Sequence, residues 1–210
     1  MAALALSEVY DRLVIAATRF DIQRNDEFSG VASGALWQAE LAPPLWTAEV
    51  TLNDQTLNEM KQQAALIRKL DGARQNFLLC DTTSLYPQAD PDGTILGSAA
   101  VTIGTIGTDR TIAPLLGLPS GYKLTLGDKM QINGASKIAF VEVSGTVTAT
   151  AGGIANVEVF PRLPPWIVNG ATVLLKRPAC PMVILPGSHN PGTNEGVRTS
   201  GAGFKSIQKS

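Results

Sequence analysis

The chain has 210 residues, of which 44% are hydrophobic and 17% charged, with a formal net charge of -1 at pH 7. That length fits one large β domain or two small ones, with enough apolar material for a packed core. A near-neutral chain whose densest cationic cluster is Arg68, Lys69 and Arg74 excludes a broad nucleic-acid surface, which needs clustered Lys and Arg.

The start, MAALALSEVYDR, lacks a basic leader, and its apolar run is too short for a signal peptide. No later stretch approaches the roughly 18 apolar residues of a membrane helix. A soluble chain made in the cytoplasm, with no membrane anchor, is the expectation. Residues 7–14 read as a short helix capped by Ser7 or as the beginning of a strand. Residues 17–24 (ATRFDIQR) alternate, with Phe20 and Ile22 on one face and Arg19, Asp21 and Gln23 on the other, which predicts a half-buried strand. Residues 25–34, with Gly30 and Gly34, read as a turn region. Residues 36–41 and 46–52 read as two strands, separated by Ala42-Pro43-Pro44, since proline cannot donate to a ladder.

Residues 54–72 (DQTLNEMKQQAALIRKLDG) form the one clear helical pattern. Leu57, Met60, Ala64, Ile67 and Leu70 recur at steps of three and four and line one face. Thr56 and Glu59 have capping-box spacing, with Asp54 as a rival cap, and Gly72 supplies the stop. Residues 77–80 (FLLC) suit a buried strand. Residues 81–97 read as an irregular loop punctuated by Pro87, Pro91 and Asp92-Gly93.

A strand follows over 101–106, interrupted by Gly104, and residues 112–118 are apolar up to the Pro119-Ser120-Gly121 turn. From Tyr122 onward, short runs at 130–132, 138–143, 147–150, 157–160 and 173–175 alternate with Gly, Asn and Pro turns, a spacing that suggests a small barrel or sandwich. Residues 182–185 and 200–208 read as returning strands around a polar loop. The fold class expected is mainly β with one principal α-helix. It comprises a split β-barrel or sandwich domain over 1–121 and 179–210, and an inserted small β-barrel-like module over 122–178.

No constellation of catalytic residues stands out. His189 is the only histidine and lies in a Gly-Ser-His-Asn-Pro-Gly loop with no carboxylate nearby in sequence, and there is no G-x-S-x-G elbow. Cys80 and Cys180, the only cysteines, are too few for a disulfide framework or a zinc set. They read as two thiols buried separately, with a single disulfide as the alternative. Asp90-x-Asp92-Gly93 lacks the later ligands of a calcium loop and reads as a turn; Glu195 is isolated. Gly104 to Gly107 and Ser200 to Gly203 lack the lysine and length of a phosphate loop and read as close backbone contacts. Trp37, Trp46, Trp166, Tyr86 and Tyr122 offer a sugar platform on paper, but with 6% aromatic residues core and interface roles are the expectation. Trp166, after Pro164-Pro165 in a loop, is the ring least easily buried and the best candidate for a contact surface. No catalytic, cofactor-binding or metal residue is assigned, and a non-enzyme is the expectation.

Three stretches together resemble the distal tail proteins of long-tailed bacteriophages and phage-like particles. The first runs from Phe20-x-Ile22-x-Arg24 through Leu36-Trp37 and Glu40 to the helix ending Leu70-Asp71-Gly72 and then Phe77-Leu78-Leu79. It is similar to the belt domain of that family. Leu126-Gly127-Asp128, followed by Phe160-Pro161-Arg162-Leu163 and Val173-x-Leu175, is similar to the family's barrel-like insert. Residues 182–208 are similar to the belt strands that complete the domain. The resemblance implies a hexameric ring at the tail tip of a virion, joining the tail tube protein to a hub or tail fibre protein, with DNA only passing through the channel. It carries over no functional residue, because the role is architectural. Two other readings remain from the residues alone, a carbohydrate-binding module for a bacterial surface and a cell-wall hydrolase with a distributed carboxylate pair.

Overall fold

A computed structural model of the chain describes residues 2–30 and 34–209. Among these residues the fold is mainly β with one α-helix. In chain order the first strands are β1 (Ile15–Gly30), β2 (Leu36–Leu52) and β3 (Gln55–Thr56), followed by α1 (Leu57–Lys69). Then come β4 (Phe77–Cys80), β5 (Val101–Ile103), β6 (Ile112–Leu116), β7 (Lys123–Leu124), β8 (Lys129–Asn133) and β9 (Ile138–Val143). The last are β10 (Val147–Thr148), β11 (Ile154–Phe160), β12 (Thr172–Leu174), β13 (Ala179–Ile184), β14 (Thr193–Glu195), β15 (Arg198–Ser200) and β16 (Gly203–Gln208). The backbone forms two compact units, one from Met1–Val14 with Gln75–Met182, the other from Ile15–Arg74 with Val183–Lys209. No helix among the described residues is long and apolar enough to cross a membrane.

The first unit contains a closed six-stranded barrel in the order β11-β6-β5-β12-β8-β9. Strand alternation fills it. Ala155, Val157 and Val159 of β11 turn inward and are buried, while Ile154, Asn156 and Glu158 turn outward. Ile103, Leu115, Met130, Ile132 and Val141 complete an interior packed with side chains. Gly153, at φ +72°, lies where a Cβ would stand 2.2 Å from the Leu118 carbonyl oxygen, so only glycine fits that turn.

The barrel displaces the boundary expected at Tyr122. Its strands β5 and β6 precede that residue, and β6 pairs with β11 from Leu116↔Ile154 to Ile112↔Glu158. A barrel opened at Tyr122 would lose two of its six strands, so residues assigned in sequence to the split domain belong to the barrel unit. The chain's first residues join it as well. Leu4 bridges to Phe77, and Arg177 pairs with Asp11 while lying 5.7 Å from the centre of the Tyr10 ring. The helix or strand expected from Ser7 is two short 3-10 turns, Leu6–Glu8 and Tyr10–Arg12; Ala5 takes the capping position, and its N–H donates to Glu8 Oε2 at 2.8 Å.

In the second unit, α1 begins after Thr56, not after Asp54, because Gln55–Thr56 pairs as a strand with β15. The Thr56 N–H and hydroxyl donate to Glu59 Oε2 at 3.1 and 2.8 Å. Met60, Ala64, Ile67 and Leu70 are buried, as the stripe predicts. Leu57 is not; it sits in the first turn and is exposed. Asp71 joins Gly72 at positive φ, so two residues make the stop.

The main sheet of this unit contains β1, β2 and β16, all antiparallel. Ser200 to Gly203 serves backbone contact, as expected of it. A Cβ on Gly203 would lie 2.5 Å from the Val50 carbonyl oxygen.

Candidate functional site

The sequence predicts three short strands, over 17–24, 36–41 and 46–52, with a turn over 25–34 and a proline break, where the structure has one long two-stranded ribbon. β1 is 16 residues and β2 is 17, continuous through Pro43-Pro44. The prolines survive because the ladder slips beside them, with register shifts between Gln23 and Asn25 and between Asn25 and Asp26. The Asn25 amide donates to the Pro43 carbonyl at 3.1 Å and bridges the irregularity. The turn expected over 25–34 therefore gives way to strand as far as Gly30, and residues 31–33 lie outside the described residues.

Support for the ribbon is uneven. β16 covers β2 only from Thr47 to Thr51, and the Gln208 side chain accepts from the Trp46 N–H at 3.2 Å. Among the described residues no third strand pairs with β1 or β2 beyond Trp46, over about 30 Å at the usual rise per residue. Isolated two-stranded ribbons are marginal in water. Here Phe28 is 60% exposed, Leu36 70%, Trp37 68% and Leu41 69%.

The chemistry changes along the arm. Its middle is charged. Asp26 accepts from Arg24 Nε at 2.5 Å and from the Gln38 amide, and the Arg24 hydrogen bond holds the Asp26 carboxyl below its usual range. Glu27 and Glu40 flank that pair. The last three register pairs, Phe28↔Gln38, Ser29↔Trp37 and Gly30↔Leu36, carry no charge. Strand alternation puts Phe28 and Leu36 on one face and Trp37 on the other. Exposed apolar side chains on an unsupported ribbon are the signature of a surface that docks. Hydrophobic alternation could reveal each strand, but ribbon length and lack of a third strand are tertiary facts with no local signal.

The residues singled out for chemistry are accounted for locally. Asp90 is buried and accepts from the Ile95 and Leu96 N–H groups at 3.0 and 2.9 Å and from the Tyr122 hydroxyl at 3.1 Å. Burial pushes its pKa up, but these donors outweigh burial and the net shift is downward. Asp92 accepts from the Thr94 N–H and hydroxyl, a turn contact like the one its sequence suggests. Glu195 is exposed on β14. The Gly104 N–H donates to Pro114 at 2.7 Å inside the barrel wall.

His189 Nε2 is buried without a hydrogen-bond partner, and burial together with the Arg68 charge lowers its pKa. Cys80 faces Ala179 and Cys180 faces Leu79, so alternation sends the two sulfurs to opposite faces, and both thiols are free. Burial pushes Cys80 up to about 12 and Cys180 well up too, away from thiolate reactivity.

Among the five aromatics, Trp46 and Tyr122 are buried. Trp166 is half-buried against the barrel core and covers Gly134, where a Cβ would lie 2.9 Å from its ring. The expectation that Trp166 presents the contact surface is thus corrected, because the missing side chain at Gly134 gives the ring a seat; Trp37 is the exposed one. Sequence reasoning also passed over Lys129, a buried lysine whose ammonium pairs with Glu142 directly across β8 and β9. Burial lowers its pKa.

Among the described residues no group of three or more His, Cys, Asp and Glu side chains is placed to hold a metal ion. The chain matches no model of a known protein family, and no curated protein matches it.

Proposed function

We propose that this chain is a structural adaptor of a phage tail tip or baseplate. In this reading it forms a hexameric ring in the virion that connects the tail tube protein to a hub or tail fibre protein and leaves a channel for DNA. The observation that carries the reading is the β1–β2 arm, an unsupported ribbon with Phe28, Leu36, Trp37 and Leu41 largely in water. An exposed apolar ribbon is a liability in water, and a subunit clasped by neighbours would cover it. The alternative, a carbohydrate-binding module, draws less support, since Trp46 and Tyr122 are buried and unavailable for stacking.

Imaging of the particle that carries this chain tests the reading. A closed six-fold ring of the chain at the tail tip supports it. A tip without the chain, or with isolated peripheral copies, overturns it.

A further inference from the structure

Among the described residues, His189 Nε2 is the one buried side-chain nitrogen or oxygen without a hydrogen-bond partner. Buried polar atoms in folded chains are almost always paired, so the exception calls for an explanation. Its neighbours in the chain are tied down. The Ser188 hydroxyl donates to the Leu185 carbonyl at 2.7 Å and accepts from the Lys205 N–H at 3.1 Å. Asn190 exchanges both backbone hydrogen bonds with Gly203, at 2.8 and 3.0 Å, and its side-chain amide donates to the Gly201 carbonyl at 3.0 Å. His189 therefore sits between two residues that fasten the loop before β14 to the start of β16.

A neutral imidazole is at home in this seat. Its proton can sit on Nδ1, which leaves only a lone pair at Nε2. A protonated imidazole is not. It brings a charge and an Nε2–H donor into a place with no acceptor, and the Arg68 guanidinium on α1 repels it. The other elements nearby offset little of this. On β16 the Lys205 ammonium is engaged with Glu49 Oε1, 3.5 Å away on β2. On the β14–β15 hairpin, Glu195 is exposed and Arg198 acts on Glu59. Arg68 is the charge that acts on the ring. His189 is also the only histidine in the chain, and histidine is the side chain whose ordinary titration falls between about pH 5 and 8. Among side chains, mild acid thus addresses this one position.

We propose that His189 is an acid-released latch: a proton on its ring lifts the 187–192 loop away from Arg68 and unfastens Ser188 and Asn190 from β16. The β14–β15 hairpin is then left on its pairing with β3, Arg198↔Thr56 and Thr199↔Gln55. Such a release is a local opening, with the rest of the fold in place. Burial and the Arg68 charge make the folded ring hold its proton less readily than a free one. The latch is therefore fully closed above the ordinary histidine value of about 6.5 and loosens as pH falls from there toward the folded-state value. Ordinary carboxylates titrate lower, at about 3.9 to 4.3, so release near pH 5 precedes general acid unfolding.

The experiment uses the full chain. Its single imidazole gives one Hε1 proton signal, and that signal should titrate with a midpoint below about 6.5. Amide exchange, corrected for its intrinsic pH dependence, should run several-fold faster over residues 188–192 and 201–205 at about pH 5 than at about pH 7.5, while β8 and β9 stay protected. His189→Gln and His189→Phe cannot take up the proton and should lose that dependence. A midpoint at or above the ordinary value overturns the latch with no variant needed. Loop exchange in the wild type that ignores pH overturns it too, as does acid-driven opening that persists in either folded variant.

Discussion

The barrel and the arm use the same alternating strands and differ in what covers them. The inward side chains of the barrel pack together inside a closed set of six strands, so Leu115, Met130 and Val157 are completely buried. The arm repeats the alternation but has one partner per strand, and Phe28 and Leu36 remain in water. Apolar patterning decides that a strand forms. The number of neighbouring strands decides whether the pattern becomes a core or a contact surface.

The sharpest break of this comparison is a charge inside the barrel. Leu115→Asp should unfold the barrel unit, since an unpaired buried carboxylate costs several kcal/mol against a total stability of about 5–15. Loss of the cooperative melt in circular dichroism is the readout; a folded variant would mean that the interior admits water. Almost as large is the effect of cutting the chain at the sequence boundary. A fragment of residues 122–178 lacks β5 and β6 and should melt without cooperativity, whereas residues 81–178 should regain a transition. A cooperative 122–178 fragment would restore the boundary at Tyr122.

Intermediate effects sit where the loop is pinned to the barrel. Tyr122→Phe removes a hydrogen bond to the buried Asp90 carboxylate and should cost about 1.5–3 kcal/mol in denaturant unfolding at neutral pH. The sign with pH follows from the lowered pKa of Asp90, where hydrogen bonds from Leu96, Ile95 and Tyr122 overcome burial. Its stabilisation is complete above the ordinary carboxylate value of about 3.9 and is lost as pH falls through the folded-state value. The gap between wild type and Tyr122→Phe should therefore close below about pH 4. A gap that is constant with pH would detach Tyr122 from the charge on Asp90. Smallest of all, Trp37→Ser on the arm should shift monomer stability by no more than about 0.5 kcal/mol; a larger loss would make the arm part of a core.

The helix was legible because its signals are local. Spacing of Met60, Ala64, Ile67 and Leu70 gives the buried stripe, and Thr56 with Glu59 gives the start, all within one stretch of chain. Strands β8, β9 and β11 were legible for the same reason, through alternation and their glycine and proline turns. The candidate site was not. Trp37 and Trp166 are both tryptophans beside polar or proline-rich residues, and nothing within a few positions says that Gly134 seats one while the other stands on an unsupported ribbon.

By itself the sequence determined that the chain is mainly β with one helix and that its short strands form a small barrel or sandwich, while it left Cys80 and Cys180 open between two buried thiols and a single disulfide. These follow from periodicity and turn chemistry, which act over a few residues. Only the tertiary structure decided that β5 and β6 close the barrel, that Leu57 stays exposed, and that β1 and β2 run on past their last supporting strand. Such outcomes depend on which distant segments pair, and pairing energy resides in contacts between residues far apart in the chain, where no local pattern records it.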